Sequence, residues 1–145
     1  MAQVVKVRRA TAADAVKIFK IGMSTGEFWV SSKIKFFTLD ELKEFVGRKD
    51  CIFLVADVAG EIAGFVIAFA MTRQWIFIDN FYVKPVFRKH GVGSAIEKEI
   101  ERIARKRKID YVSFIVKPSN ISTRKFFRKK DFKEATKFLW MEKFI

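Results

Sequence analysis

Apolar and polar positions change period several times along the chain, and each change marks an element. Val4 to Arg8 alternates, as a half-buried strand does. Thr11, with Asp14 three residues on, is a capping-box start, and Ala15, Val16, Ile18 and Phe19 carry the helix to about Met23. Periodicity is lost from Ser24 to Phe37. Thr38 and Glu41 repeat the capping signature before Leu39, Leu42, Phe45 and Val46, and Gly47 supplies a stop. Ile52 to Val58 and Ile62 to Ala70 are β-rich runs around Ala59-Gly60-Glu61, which is a hairpin signal, and Trp75 to Val83 makes the next strand. Val92, Ile96, Ile100, Ile103 and Ala104 recur at helical spacing and predict a helix over about 91–108. Tyr111 to Val116 reads as a strand, Pro118-Ser119-Asn120 as a loop and 122–130 as a short helix. The run 132–144 reads as one or two final strands, with Phe138, Trp140 and Phe144 on one parity. No repeat, low-complexity tract or linker interrupts this order.

Composition narrows the picture. The chain has 145 residues, half of them apolar and 17 of them Phe, enough for one core in a single domain over 1–145. Cys51 is the only cysteine, so an intramolecular disulfide is excluded and a reducing, cytoplasmic location is expected. Met1 to Arg9 alternates and lacks the apolar stretch of a secretion signal, so none is expected. The longest apolar run, Phe65 to Met71, is too short to span a bilayer, and no membrane partner is expected. With one His and one Cys, no metal site of the usual nitrogen and sulfur ligands is expected either.

The net charge of +13 is uneven: +2 over residues 1–83 and +11 over 84–145. A basic half attracts a polyanion, whether nucleic acid, acidic lipid, acidic protein or a phosphorylated cofactor. Trp and Tyr do not interleave with the basic clusters at Arg102–Lys108 and Arg124–Lys130, which argues against a base-stacking platform.

The asymmetry begins at the stretch carrying Val83, Pro85, Arg88, Lys89, His90, Gly91, Val92, Gly93 and Ser94. It lies between an expected strand and an expected helix. Glycines let backbone N–H groups approach a ligand, and a helix N-terminus aims unpaired N–H groups and partial positive charge at one point. That combination favours phosphate or pyrophosphate. The spacing is neither a Walker loop nor a Rossmann GxGxxG.

The string Val-x-Pro-x-x-Arg-x-x-Gly-x-Gly resembles the acetyl-CoA signature of the GCN5-related N-acetyltransferases (the GNAT superfamily). The element order β-α-α-β-β-β-α-β-α-β is also that family's, so the resemblance covers essentially the whole chain. It implies an α+β fold, with a central mixed, mostly antiparallel sheet flanked by about four helices.

The resemblance also implies a site. Acetyl-CoA is the expected co-substrate, with pantetheine on the backbone of Phe81, Tyr82 and Val83. Its pyrophosphate is expected on the amides of Arg88 to Ser94, helped by the charges of Arg88 and Lys89. His90 is given a backbone role only. Asn120 matches an Asn that often contacts CoA, and Phe132 keeps the register that follows it. Phe127 stands where many members have a tyrosine that protonates the departing thiolate, and this is the chief departure from the family pattern. Asp79 matches an acidic position used by some members as a general base, with ordering of a strand bulge as its alternative role. The acceptor pocket falls largely on 24–37, with 138–141 as a further expected part, and Glu27, Phe28 and Trp29 are candidate substrate contacts, against ordinary packing and a solvated charge.

The activity so implied is transfer of acetyl from acetyl-CoA to a primary amine of an unidentified small molecule or protein. The alternatives are a non-catalytic acyl-CoA-binding module, prompted by Phe127, and a nucleic-acid-associated protein, prompted by the basic half. Family members often form homodimers.

Overall fold

A computed structural model describes residues 3–145, so Met1 and Ala2 of the alternating N-terminal run lie outside it. The elements are β1 (Val5–Arg9), α1 (Ala12–Ser24), α2 (Leu39–Phe45), β2 (Cys51–Val58), β3 (Glu61–Thr72), β4 (Trp75–Val83), α3 (Val92–Lys106), β5 (Tyr111–Phe114) and α4 (Ile121–Arg128), with short 3-10 turns at Gly26–Phe28 and Pro85–Phe87. The described residues through Phe114 form one compact unit, and Ile115–Ile145 form a second.

The first unit is built on a five-stranded sheet of order β1-β2-β3-β4-β5. Neighbours pair antiparallel except β4 and β5, which run parallel. The fold is therefore α+β with a mixed, mostly antiparallel sheet and four α-helices, as expected. The alternation within β2 explains why helices cover both sheet faces. Ile52, Leu54, Ala56 and Val58 pack with Val92, Ile96, Ile100 and Ile103 of α3. Cys51, Phe53 and Val55 point the other way, toward Ala15 and Ile18 of α1 and Leu42 and Phe45 of α2. Each such buried aliphatic side chain contributes roughly 1.5–3 kcal/mol relative to exposure.

Both early helices start as the sequence predicts. Thr11 and Thr38 each accept from the third residue of their helix, and Asp14 and Glu41 accept in return from the cap N–H. Asp14 is also buried and is held by Arg8, whose Nη1 donates to it at 2.6 Å while its Nε donates to Asp57 at 2.6 Å. One guanidinium thus ties β1 to both α1 and β2. Gly22 has a packing reason: a Cβ there would lie 2.1 Å from the Phe36 ring. That close approach seats the irregular 24–37 segment on α1.

The second unit carries α4, with Phe127 buried among ring contacts to Phe126 and Phe132, both at 5.0 Å between centroids. The strands expected over 132–144 are absent: no residue there joins a ladder. Phe138, Leu139, Trp140 and Met141 are all exposed. Alternating apolar residues favour a strand only when a partner ladder and a covered face reward them. Strand β5 is also shorter than its apolar run suggests, ending at Phe114.

Candidate functional site

Strand β4 carries the most informative irregularity. Its ladder with β3 pairs Ile67 with Asn80 and Ala68 with Ile78, which leaves Asp79 as the extra residue of a bulge. A bulge reverses which face the following side chains meet. Ile76 and Ile78 lie on the α3 side, and after the bulge Phe81 and Val83 do too, while Tyr82 turns to the side of α1 and α2. Regular alternation would have placed them the other way. Asp79 is exposed at its surface, yet partial desolvation raises its pKa above the ordinary carboxylate value. Its Oδ2 accepts from Asn80 Nδ2 at 2.6 Å.

At the same place the β4–β5 ladder stops. Its last pair is Ile78 with Phe114, so the β5-facing edge of β4 from Asp79 to Val83 lies beyond that ladder. A chain-like ligand with amide groups could pair with such an edge as an added strand does.

Beyond Val83 the chain makes the 3-10 turn at Pro85–Phe87 and then a tight loop in which Lys89 has φ 64° and Gly91 has φ 85°. These left-handed residues bend the backbone into the start of α3. The first i to i−4 bond of that helix runs from Ala95 N–H to Gly91 C=O at 3.0 Å, so the amides of Val92, Gly93 and Ser94 precede it. Helices α1, α2 and α4 all begin under a side-chain cap, from Thr11, Thr38 and Asn120. The α3 cap is Gly91, with no side-chain bond to its amides. The helix dipole adds partial positive charge at that uncapped end.

The structure also shows a role for Arg88 that its motif position does not reveal. Its Nε donates to Val83 O at 2.9 Å, and its guanidinium lies 5.7 Å from the centroid of the Tyr82 ring. Arg88 therefore ties the loop to the end of β4. No spacing rule signals this second duty.

The expected acceptor segment reaches the same strand. Phe28 packs on Tyr82 at 5.1 Å, on Phe65 at 5.8 Å and on Phe36 at 5.3 Å. Its ring is largely engaged in packing. Glu27 is exposed, and Trp29 is exposed with the Lys35 ammonium 4.8 Å from its ring centroid.

In the second unit, Asn120 is the cap of α4, its Oδ1 accepting from Thr123 N–H at 3.2 Å. The sequence already held that signal in the Asn-x-x-Thr spacing. Among the described residues no group of three or more His, Cys, Asp or Glu side chains is placed to hold a metal. No helix of the described residues is long and apolar enough to cross a membrane. Cys51 is buried, and desolvation pushes its thiol up to about 12, which disfavours the thiolate at neutral pH.

Comparison with solved structures gives the same fold at low identity. PaiA N-acetyltransferase from Thermoplasma acidophilum, in complex with coenzyme A, matches with TM-score 0.80 and 19% identity over 92% of this chain and 93% of its own. Ard1 from Thermoplasma volcanium matches with TM-score 0.76 and 23% identity over 94% and 86%. The aminoglycoside N-acetyltransferase AAC(6′)-Iy, in complex with CoA, matches with TM-score 0.78 and 15% identity over 99% and 97%. A family model for the acetyltransferase (GNAT) family matches residues 23–132, which take in the β4 bulge, the uncapped α3 turn and α4. The chain belongs to the GNAT acetyltransferase family.

Proposed function

We propose that the protein transfers acetyl from acetyl-CoA to a primary amine, as one acetyltransferase domain over 1–145. The observation that carries this reading is the uncapped N-terminus of α3, in register behind a strand whose edge opens at a bulge. The residues present fit the donor. The amides of Arg88 to Ser94 would bind its pyrophosphate, with charge from Lys89 beside them. The open edge at Phe81 to Val83 would take the pantetheine amides. The solved structures of PaiA and AAC(6′)-Iy in complex with CoA support such a ligand for this fold.

The chemistry requires a neutral amine, while a lysine-like amine has an unperturbed pKa of about 10.4 and is mostly protonated near neutrality. Asp79 would take the proton, directly or through a water, and its raised pKa makes it a better base than an ordinary carboxylate. The amine nitrogen then bonds to the thioester carbonyl carbon, the carbon–sulfur bond breaks, and the electron pair leaves on sulfur. A backbone N–H of β4 near Phe81 or Tyr82 would stabilise the carbonyl oxygen as its charge develops. Phe127 has no proton to give, and a thiolate whose conjugate acid has a pKa near ~8.5 can leave unprotonated or take a proton from water. The acceptor is an amine-bearing small molecule or protein met at the 24–37 segment. Glu27 supplies a negative charge there, and Trp29 a ring that already holds an ammonium.

The test is an amine-acceptor screen that detects released CoA thiol, run on wild type and Asp79→Asn. Wild type should release thiol with at least one amine. Asp79→Asn should lower kcat on the order of 100-fold or more at neutral pH, within the range of general-base contributions. Thiol release that is unchanged in Asp79→Asn across pH would remove Asp79 from the mechanism.

A second reading rests on Phe127, which is buried and occupies the sequence position that holds a tyrosine in the resembling family pattern. If the chain is an acyl-CoA-binding module, it binds acetyl-CoA and releases no thiol with any amine.

A further inference from the structure

Two clefts open at the end of the first unit opposite the α3 turn, and the proposed acetyl transfer uses neither. One, of about 310 Å³, lies between the β1–β2 end of the sheet and the C-terminal half of α3, floored by Leu54 and Ile103. Arg9, Arg102, Lys106 and Arg107 stand around it. The second, of about 500 Å³, is lined by Arg107 and by Arg73 from the β3–β4 turn. Arg107 belongs to both, so the two clefts adjoin at the end of α3, with cations from β1, from α3 and from the β3–β4 turn around them. Helix α3 has 15 residues, which places this surface about 20 Å from the uncapped turn.

The charges there are only partly matched. Glu99 accepts from Arg102 at 2.6 Å, and Arg8, which also lines the first cleft, is taken by Asp14 and Asp57. Arg9, Arg73 and Lys106 are exposed and make no ion pair among the described residues. Arg107 donates to the neutral carbonyl of Lys49 at 3.0 Å, which leaves its charge uncompensated. Complementing the α3 dipole explains Lys106. It does not explain Arg9 or Arg73, which come from other elements.

We propose that this surface binds nucleic acid through its phosphodiester backbone. Most of these cations are guanidiniums, whose planar forks match phosphate oxygens. They are strung along two joined clefts, which suits a ligand with repeated charges better than one small anion. No aromatic side chain lines either cleft, so neither offers a base-stacking platform and the phosphates are the groups these cations meet. This site goes beyond acetyl transfer and does not depend on it.

The test is fluorescence anisotropy with labelled duplex DNA and duplex RNA of about 20 base pairs, near 0.15 M salt and through a salt series. Polyglutamate serves as the non-phosphate polyanion. Wild type should bind at least one duplex, with the two arms telling DNA from RNA. The variant Arg9→Gln/Arg73→Gln/Lys106→Gln should melt as wild type does and bind at least tenfold more weakly. Its slope of log K against log salt should be shallower by about 2 to 3, the loss of three phosphate contacts. A control, Lys125→Gln/Lys129→Gln/Lys133→Gln, should bind within a few-fold of wild type. The cleft variant should also release thiol in the acetyl-transfer screen at the wild-type rate. The proposal is overturned if wild type binds neither duplex, if the cleft variant binds normally, if the control loses as much affinity, or if polyglutamate competes as well as the duplexes.

Discussion

Asp79, the extra residue of the β4 bulge, and Gly91, left-handed before α3, both break local regularity at the proposed site. At Asp79 the bulge leaves a carboxylate partly desolvated, and the folded pKa is raised above the unfolded value. A carboxyl raised on folding adds stability at low pH and loses that contribution as pH rises through the folded pKa. Asp79→Asn removes the cost of the charge, so its Tm at pH 7 should equal or exceed that of wild type. The difference should close at pH values below about 4, where the unfolded carboxyl is also protonated. Thermal melts across pH read this directly, and an Asn variant clearly less stable at pH 7 would contradict it. Gly91 sits at φ 85° with open space where a Cβ would go, so strain and not collision sets the cost of substitution. Gly91→Ala should lose about 1–2 kcal/mol in urea unfolding, and Gly91→Asn less, because Asn tolerates the left-handed region. The motif spacing made Gly91 legible in the sequence. The Asp79 bulge was legible only as an alternative, because the flip of Phe81, Tyr82 and Val83 depends on pairing with β3.

Element by element, the signals that proved sufficient were local ones. Thr11 and Thr38 with their acidic partners fixed two helix starts, and the Ile and Val spacing fixed α3, because capping and amphipathic periodicity need no distant partner. The run 132–144 had strand alternation and formed no strand, since a ladder depends on a neighbour that the run itself does not encode. Arg8 shows the same dependence on tertiary context: nothing in its neighbourhood along the chain announces that it joins α1 to β2 through Asp14 and Asp57. The Arg8 hydrogen bonds are the main reason that the Asp14 pKa is lowered. A depressed carboxyl contributes stability above its unfolded pKa and loses it as pH falls toward the folded value. Arg8→Gln should therefore cost about 1–3 kcal/mol at pH 7, Arg8 being partly solvent-screened. That deficit should shrink as pH falls below about 4. Chemical denaturation at several pH values checks both, and a deficit that does not change with pH would assign the loss to packing alone.

For the whole molecule, the uneven charge was plain in the sequence, but its division was not. The structure brings Arg9 and Arg73, from outside the basic half, beside Lys106 and Arg107 at the far end of the helix that starts uncapped at Gly91. The donor claim can thus be tested without disturbing the rest. Ser94 occupies the third position of α3, where an acidic side chain suits the helix dipole. Ser94→Asp should therefore keep or raise Tm while placing negative charge where the pyrophosphate would bind. The most direct measurement is a calorimetric titration of acetyl-CoA into wild type and Ser94→Asp. Saturable binding to wild type, weakened at least tenfold in a Ser94→Asp protein that melts no lower, is the expected result. No binding to wild type, or equal binding to both proteins, would contradict a pyrophosphate cradle at the start of α3.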